Sequence, residues 1–77
     1  MKKITHEWIK KAENDYLVIK NEINSKNPVY DAICFHAQQC IEKYLKALIN
    51  EQGITIPKIH DLSVLFNICK PFASELE

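Results

Sequence analysis

The chain has 77 residues, of which 47% are hydrophobic and 26% charged, and its ten lysines balance ten acidic residues. This length allows one domain over residues 1–77, with a single modest core. One glycine and three prolines argue against a β-sandwich or barrel, which needs many tight turns. Because the net charge is zero, the chain has no strong overall field to attract nucleic acid or a membrane surface, and we expect neither DNA nor membrane as a partner.

The cysteines and the uncharged segments indicate the cellular compartment. Three cysteines, Cys34, Cys40 and Cys69, are an odd number and lie in apolar stretches, where free cysteine behaves as a small hydrophobic residue. The N-terminal residues lack the apolar run of a signal peptide, and the longest uncharged stretch, residues 32–41, is too short to cross a bilayer. These features predict a cytoplasmic protein.

The first predicted helix follows Thr5, whose hydroxyl suits an N-cap, with Ile4 and Ile9 placed to form a hydrophobic staple. Apolar residues then recur at spacings of three and four: Trp8, Ala12, Tyr16, Ile19 and Ile23. This spacing predicts one apolar helix face. The helix should end near residues 25–28, which are rich in turn formers.

The second predicted helix runs from about Val29 to Gln52 and should end at Gly53 in a left-handed conformation. Its apolar stripe is wider than a surface helix needs, and Phe35 extends it to a second face. We therefore expect this helix to pack against partners on two sides. The short loop that follows should place Ile54 and Ile56 beneath the bundle.

The third predicted helix begins around His60 and Asp61, and Asp61 should cap it. Its apolar face comprises Leu62, Leu65, Phe66 and Cys69. Pro71 should end this helix or open a short fourth one, with Phe72, Ala73 and Leu76 on its apolar side.

These elements predict an all-α antiparallel bundle of two long helices and one or two short ones. Such a bundle leaves the central helix incompletely covered. Either the chain forms a dimer through the spare face, or it is a shortened version of a longer bundle.

The densest group of polar residues lies on the second predicted helix and comprises His36, Gln38, Gln39, Glu42, Lys43 and Lys46. Lys46 follows Glu42 by four residues, the order that favours a helix ion pair. On the first helix, Asp15 lies on or beside the apolar face, where a buried carboxylate needs a partner. That partner could be a lysine or glutamine of the second helix, a backbone N–H or a ligand, unless a small helix rotation exposes the carboxylate.

The sequence gives little support for a metal site or for a catalytic cysteine–histidine pair. His36 and Cys40 are one helical turn apart and His60 adjoins Asp61, but the chain lacks the paired spacing of zinc sites. Nothing in the sequence orients His36 as a base for a cysteine nucleophile. We expect no metal, no cofactor and no catalytic residue.

The order of the motifs nevertheless resembles the HEPN domain. The first part is Trp8-x3-Ala12-x2-Asp15, and the longest is Cys34-Phe35-His36-Ala37-Gln38-Gln39-Cys40-x-Glu42-Lys43-x-Leu45-Lys46-Ala47-Leu48. Gly53 and then His60-Asp61-Leu62-x2-Leu65 follow. The resemblance implies an antiparallel bundle that forms homodimers, in small prokaryotic proteins often encoded beside a minimal nucleotidyltransferase in toxin–antitoxin-type pairs. It also implies one or two further C-terminal helices, so these 77 residues are expected to be a truncated form of the domain.

The family includes nucleotide-binding or RNA-binding members and metal-independent RNases that carry an Arg-x4-6-His motif. This sequence contains no arginine, so we do not expect RNase activity from these 77 residues. The resemblance favours a binding and interaction module, with a nucleotide contacted by Asp15, Gln38, Gln39, Lys43 and Lys46, and further polar contacts from His36, His60 and Asp61. Two alternatives remain: these residues hold the bundle together, or the chain is an RNase whose motif lies beyond these residues or has been lost.

Overall fold

The computed structural model describes residues 1–72, which form three helices. Helix α1 spans Lys3–Ile23, α2 spans Tyr30–Glu51 and α3 spans Leu62–Cys69. Helices α1 and α2 are antiparallel, since the start of α1 contacts the end of α2 and the second half of α1 contacts the first half of α2. The prediction of an all-α bundle with two long helices is confirmed, and no residue between 1 and 72 lies in a β-strand.

Helix α1 begins three residues earlier than predicted, and the N-cap assigned to Thr5 is wrong. Lys2 precedes the first helical residue and makes no side-chain capping bond. Thr5 is buried inside the helix, where its hydroxyl donates to Glu51 Oε1 at 3.0 Å and accepts from Asn50 Nδ2 at 2.9 Å. The staple fails with the cap, because Ile4 lies inside α1 and is exposed. A threonine on the inward face can join two helices, and here that use replaces the cap.

The apolar face predicted for α1 is only partly buried. Ala12 is fully buried against α2, and Trp8 and Ile19 are half-buried, whereas Tyr16 and Ile23 are exposed. Polar side chains therefore make up much of the contact with α2. The helix ends at Ile23, where the predicted turn begins, with Asn24 Nδ2 donating to a main-chain carbonyl of the last turn at 2.8 Å.

Helix α2 and its end match the prediction. Val29 and Gln52 flank the helix as its caps, and Gly53 follows with a φ of 78°, in the left-handed region that glycine adopts without strain. The Gly53 N–H donates to the Asn50 carbonyl at 3.0 Å and the Ile54 N–H to the Ile49 carbonyl at 3.2 Å. These bonds satisfy carbonyls that the end of the helix would otherwise leave without a donor.

The main apolar core lies between α2, α3 and the loop that joins them. Ile49, Leu65 and Cys69 are its buried members, and the partly buried residues packed on it are Leu45, Leu48, Ile56, Ile59 and Ile68. Asp61 caps α3 as predicted, with Oδ1 accepting from the N–H groups of Ser63 and Val64. Helix α2 thus contacts α1 and α3, which confirms its predicted two-sided packing.

Two apolar residues of this region do not lie where they were predicted. Ile54 is exposed, unlike Ile56, because the loop turns only alternate side chains towards the core. Phe66 is 58% exposed, since Leu65 and Cys69 fill the contact with α2. After Cys69 the described chain forms a single 3₁₀ turn at residues 70–72, and the predicted positions of Ala73 and Leu76 lie outside the described residues. No helix in residues 1–72 is long and apolar enough to cross a membrane.

Candidate functional site

Asp15 lies at the centre of the first polar cluster, in the contact between α1 and α2. Its carboxylate is buried, with Oδ1 2.9 Å from His36 Nδ1 and Oδ2 2.5 Å from Lys43 Nζ. His36 and Lys43 are seven residues apart, which places them two turns apart on the same face of α2. The predicted lysine partner is therefore confirmed, and the cluster binds the two long helices together.

The histidine in this cluster was not expected to be oriented by any other residue. The structure corrects this, because Asp15 holds the Nδ1 edge of the His36 ring. The Asp15 carboxylate is the signal that identifies this partner, since a buried acid on one helix requires donors on the facing helix. Asp15 was predicted to need such a donor, but glutamine and lysine were considered and histidine was not.

The ionisation of Asp15 is set by opposing effects. Burial raises the pKa of Asp15, but hydrogen bonds from Lys43 and His36, together with their positive charge, outweigh burial and leave the pKa below its ordinary value. A carboxylate in this state remains ionised at neutral pH. It therefore matches the charge of Lys43 and leaves the cluster without a net charge when His36 is neutral.

Glu42 forms a second cluster of the same composition, one carboxylate with one lysine and one histidine. Its Oε2 atom is 3.1 Å from Lys46 Nζ and 3.0 Å from His60 Nδ1. The ion pair between Glu42 and Lys46 was predicted, but the structure buries both side chains, whereas a surface pair was expected. His60 belongs to the loop before α3, so this cluster fixes that loop to α2.

Burial also raises the pKa of Glu42, and hydrogen bonds from His60 and Lys46 reverse the effect, so that the pKa lies below its ordinary value. The ammonium group of Lys46 has an aromatic contact as well. Its Nζ lies 5.3 Å from the centroid of the Trp8 ring, and Lys11 Nζ lies 5.0 Å from the same centroid. Distances below about 6 Å are typical of cation–π attraction. Trp8 thus connects the Glu42 cluster to α1.

A third polar group joins the start of α1 to the end of α2, and the sequence analysis missed it. Glu51 Oε1 accepts from the Lys2 main-chain N–H at 2.9 Å and from the Thr5 hydroxyl at 3.0 Å. These hydrogen bonds hold the pKa of the half-buried Glu51 carboxyl below its ordinary value. The signal was present, since Thr5 precedes Ala12 by seven residues and so shares its face.

The polar interior is satisfied by the chain itself. Within residues 1–72, every buried side-chain nitrogen or oxygen has a hydrogen-bond partner. The same part of the chain has no group of three His, Cys, Asp or Glu side chains that could hold a metal ion. His36 and His60, which the sequence analysis considered as ligands, each contact a carboxylate instead. The arrangement neutralises buried charge and leaves no buried side-chain nitrogen or oxygen in residues 1–72 for a ligand to satisfy.

The fold and these contacts can now be compared with known proteins. The model of the HEPN domain family matches residues 5–77. This chain belongs to the HEPN family. Comparisons with curated proteins and with solved structures gave no match.

In this HEPN domain, the polar residues predicted to bind a nucleotide fall into two groups. Asp15, Lys43 and Lys46 are engaged in the ion pairs described above. Gln38 is exposed and Gln39 half-buried, and neither amide makes a hydrogen bond within residues 1–72. The expected contact between Asp15 and Gln39 is therefore absent from the described part of the chain, and Asp15 is held by Lys43 and His36.

Asp61 is the remaining predicted contact. Its carboxylate caps α3 and is hydrogen-bonded to neither cluster. Its neighbour His60 is open to solvent, with 81% of its side chain exposed. The adjacent residues Glu42 and Lys43 have different partners, Lys46 and Asp15.

Proposed function

We propose that this HEPN domain is an interaction module of the cytoplasm, which acts as a homodimer and as the partner of a minimal nucleotidyltransferase in a toxin–antitoxin-type pair. The observation that carries the proposal is the exposure of large apolar side chains on α2, a helix already packed on α1 and α3. These side chains are Tyr30, Phe35, Ile41 and Tyr44. Helical spacing places Tyr30, Ile41 and Tyr44 on one side of α2 and Phe35 on another, and exposed apolar patches are typical of protein–protein contact sites.

The polar clusters also support the interaction-module proposal, because they hold the helices that carry these exposed side chains in place. Asp15 and Glu42 each have a lysine and a histidine as partners, so the buried charges are compensated within one chain. Such a network holds the three helices in a fixed arrangement and presents their outer faces as rigid surfaces. Binding to another folded protein is favoured when those surfaces need no reordering.

Nucleotide binding at Asp15, Gln38, Gln39, Lys43 and Lys46 is the finer part of the proposal. Lys43 is the accessible cation of this set, with 23% of its side chain exposed, and Gln38 and Gln39 have amides without an intramolecular partner in residues 1–72. A phosphate that binds Lys43 must compete with the Asp15 carboxylate. Titration calorimetry with ATP tests the site: Lys43→Met should abolish binding, and heat that is unchanged in this variant would contradict it.

The alternative is a metal-independent RNase. It requires an Arg-x4-6-His motif, and these 77 residues contain no arginine. The test is to incubate the chain with tRNA in EDTA and to separate the products on a gel. We expect intact tRNA. Cleavage that is lost in His60→Ala would overturn the binding proposal in favour of the enzyme.

Two experiments test the main proposal. Light scattering after gel filtration should give the mass of two chains, and a monomer at every concentration would contradict the homodimer. Co-expression with a minimal nucleotidyltransferase encoded beside the gene should yield a complex that survives gel filtration. Failure of the pair to co-elute, or the absence of such a neighbouring gene, would contradict the partner assignment while leaving the dimer in place.

A further inference from the structure

A groove of about 500 Å³ lies between α2 and α3. It is lined by Ile41, Leu45, Leu62, Ser63, Phe66 and Asn67. Ile41 and Phe66 also project into solvent, with 52% and 58% of their surface exposed. The face therefore combines a concave groove with two protruding apolar side chains.

This face carries no charge among its lining residues, in a chain that is 26% charged. The helical spacing of α2 extends it, since Cys34 and Gln38 precede Ile41 by seven and three residues and are both exposed. We call these eight residues the neutral face. A surface without cations gives nucleic acid no phosphate contacts, and it offers a charged protein no complementary partner.

A second copy of the chain is the occupant that such a face fits best. In a twofold contact the same patch is present on both sides, so that residues near the axis meet their own copies. A charged residue near the axis would face a like charge, whereas an uncharged patch incurs no repulsion. The chain as a whole has zero net charge, so two copies also approach without overall repulsion.

A second apolar cavity within residues 1–72 meets this condition less well. It measures about 290 Å³ and is lined in part by Ile9, Tyr44 and Leu48, but the Glu51 carboxylate also lines it. A twofold contact there would bring carboxylates towards their own copies.

We propose that two copies of this chain associate through the neutral face, with Phe66 of each copy seated in the α2–α3 groove of the other. The inference rests on the homodimer of the proposed function and specifies its surface. Phe66 is exposed on its own copy, and Ile41, Leu45 and Leu62 give the groove beside it apolar surface for a phenyl ring, next to the uncharged polar side chains of Ser63 and Asn67. Reciprocal insertion would bury the phenyl ring and the groove of each copy in a single contact.

The test compares the oligomeric state of single lysine variants by gel filtration with light scattering. Phe66→Lys and Ile41→Lys should shift the dimer to monomer, because each places a charge beside its own copy. Tyr16→Lys is the matched control, since Tyr16 is an equally exposed aromatic residue on α1, and it should remain dimeric. Circular dichroism of each variant should match the wild type, because none of the three side chains is buried.

A second measurement keeps the proposal testable if a lysine variant fails to fold. Cys34 is exposed in the single chain, so its alkylation rate should fall severalfold as the wild-type concentration rises through the dimerisation range. A rate that is independent of concentration while dimers form would place the contact elsewhere. A dimer that resists Phe66→Lys and Ile41→Lys but dissociates in Tyr44→Lys would overturn the neutral face and keep the homodimer. A wild-type monomer would overturn both.

Discussion

His60 Nδ1 lies 3.0 Å from Glu42 Oε2, the same oxygen that accepts a hydrogen bond from Lys46 at 3.1 Å. The two donors differ sharply in exposure, because Lys46 is buried and the His60 side chain is 81% exposed. One carboxylate oxygen thus joins an interior ion pair to a surface hydrogen bond. The interior ion pair lies within α2, and the surface bond fixes the loop that leads to α3 to that helix.

The difference in exposure predicts unequal costs for the two partners of Glu42. Lys46→Met leaves a buried carboxylate without its cation and should lower the free energy of unfolding by about 3 kcal/mol. His60→Ala removes a solvent-exposed partner and should cost less than about 1 kcal/mol. Urea unfolding followed by the fluorescence of Trp8, the single tryptophan, measures both. Equal losses would contradict the assignment, and Glu42→Met combined with Lys46→Met should recover much of the stability.

The stability of the fold should decrease in acid. The pKa values of Asp15 and Glu42 are below their ordinary values, so each carboxylate contributes stability that is complete above its unfolded pKa of about 4. That stability is lost as the pH falls through the lower folded pKa. We expect the free energy of unfolding to decrease progressively below about pH 4.5.

The variant pair Asp15→Asn and Glu42→Gln tests this origin of the acid sensitivity. Combined in one chain, the two changes should flatten the dependence of unfolding free energy on pH between 6 and about 3. Glu7→Gln is the control, because Glu7 is an exposed carboxylate outside these clusters, and it should keep the wild-type slope. Parallel curves for all three proteins would show that other groups cause the acid sensitivity.

The buried hydroxyl of Thr5 joins α1 to α2, so its removal should be costly. Thr5→Val keeps the side-chain shape but leaves Asn50 Nδ2 without its acceptor and Glu51 without one donor. The expected loss is about 1–2 kcal/mol of unfolding free energy. Thr55→Val is the matched control at an exposed loop position, with an expected change within about 0.5 kcal/mol. Equal stabilities of the two variants in urea would contradict this role.

Gly53 closes α2 in a left-handed conformation, which a side chain disfavours. Gly53→Ala should lower the free energy of unfolding by about 1 kcal/mol, since its Cβ crowds the following carbonyl. The new atom would also lie 3.2 Å from Lys2 Nζ, the end of a flexible side chain that can move away. Gly53→Asn should cost less than alanine, because asparagine tolerates this conformation. Thermal unfolding of the three proteins measures the order.

The three cysteines should react at different rates in the folded protein. Cys34 is exposed, whereas burial raises the pKa of the Cys69 thiol, and burial together with the nearby Asp15 charge raises the pKa of the Cys40 thiol. Since the thiolate is the reactive form, iodoacetamide should modify one cysteine rapidly at pH 7.5 and dilute chain concentration. Mass spectrometry should locate that first modification at Cys34. Early modification of Cys69 would contradict the described packing.

The sequence was sufficient to predict those features that depend on local chemistry. The bounds of α2, the left-handed Gly53 and the Asp61 cap follow from helix periodicity and from side-chain preferences within a few residues. The motif along α2 also indicated the HEPN family, because it combines fixed polar types with a helical apolar stripe. The need of Asp15 for a partner followed in the same way, from its position on the apolar face.

Tertiary structure alone decided how the helices meet. The bonds of Thr5 to Asn50 and Glu51, the choice of His36 as a partner of Asp15 and the exposure of Phe66 each depend on the rotation and separation of packed helices. Periodicity predicts which residues share a face, but it contains no information on the residue that lies opposite, because pairing between helices is set by packing at long sequence separation. For that reason the sequence indicated the charged residues of the polar clusters, and only the fold determined their contacts and exposed the neutral face.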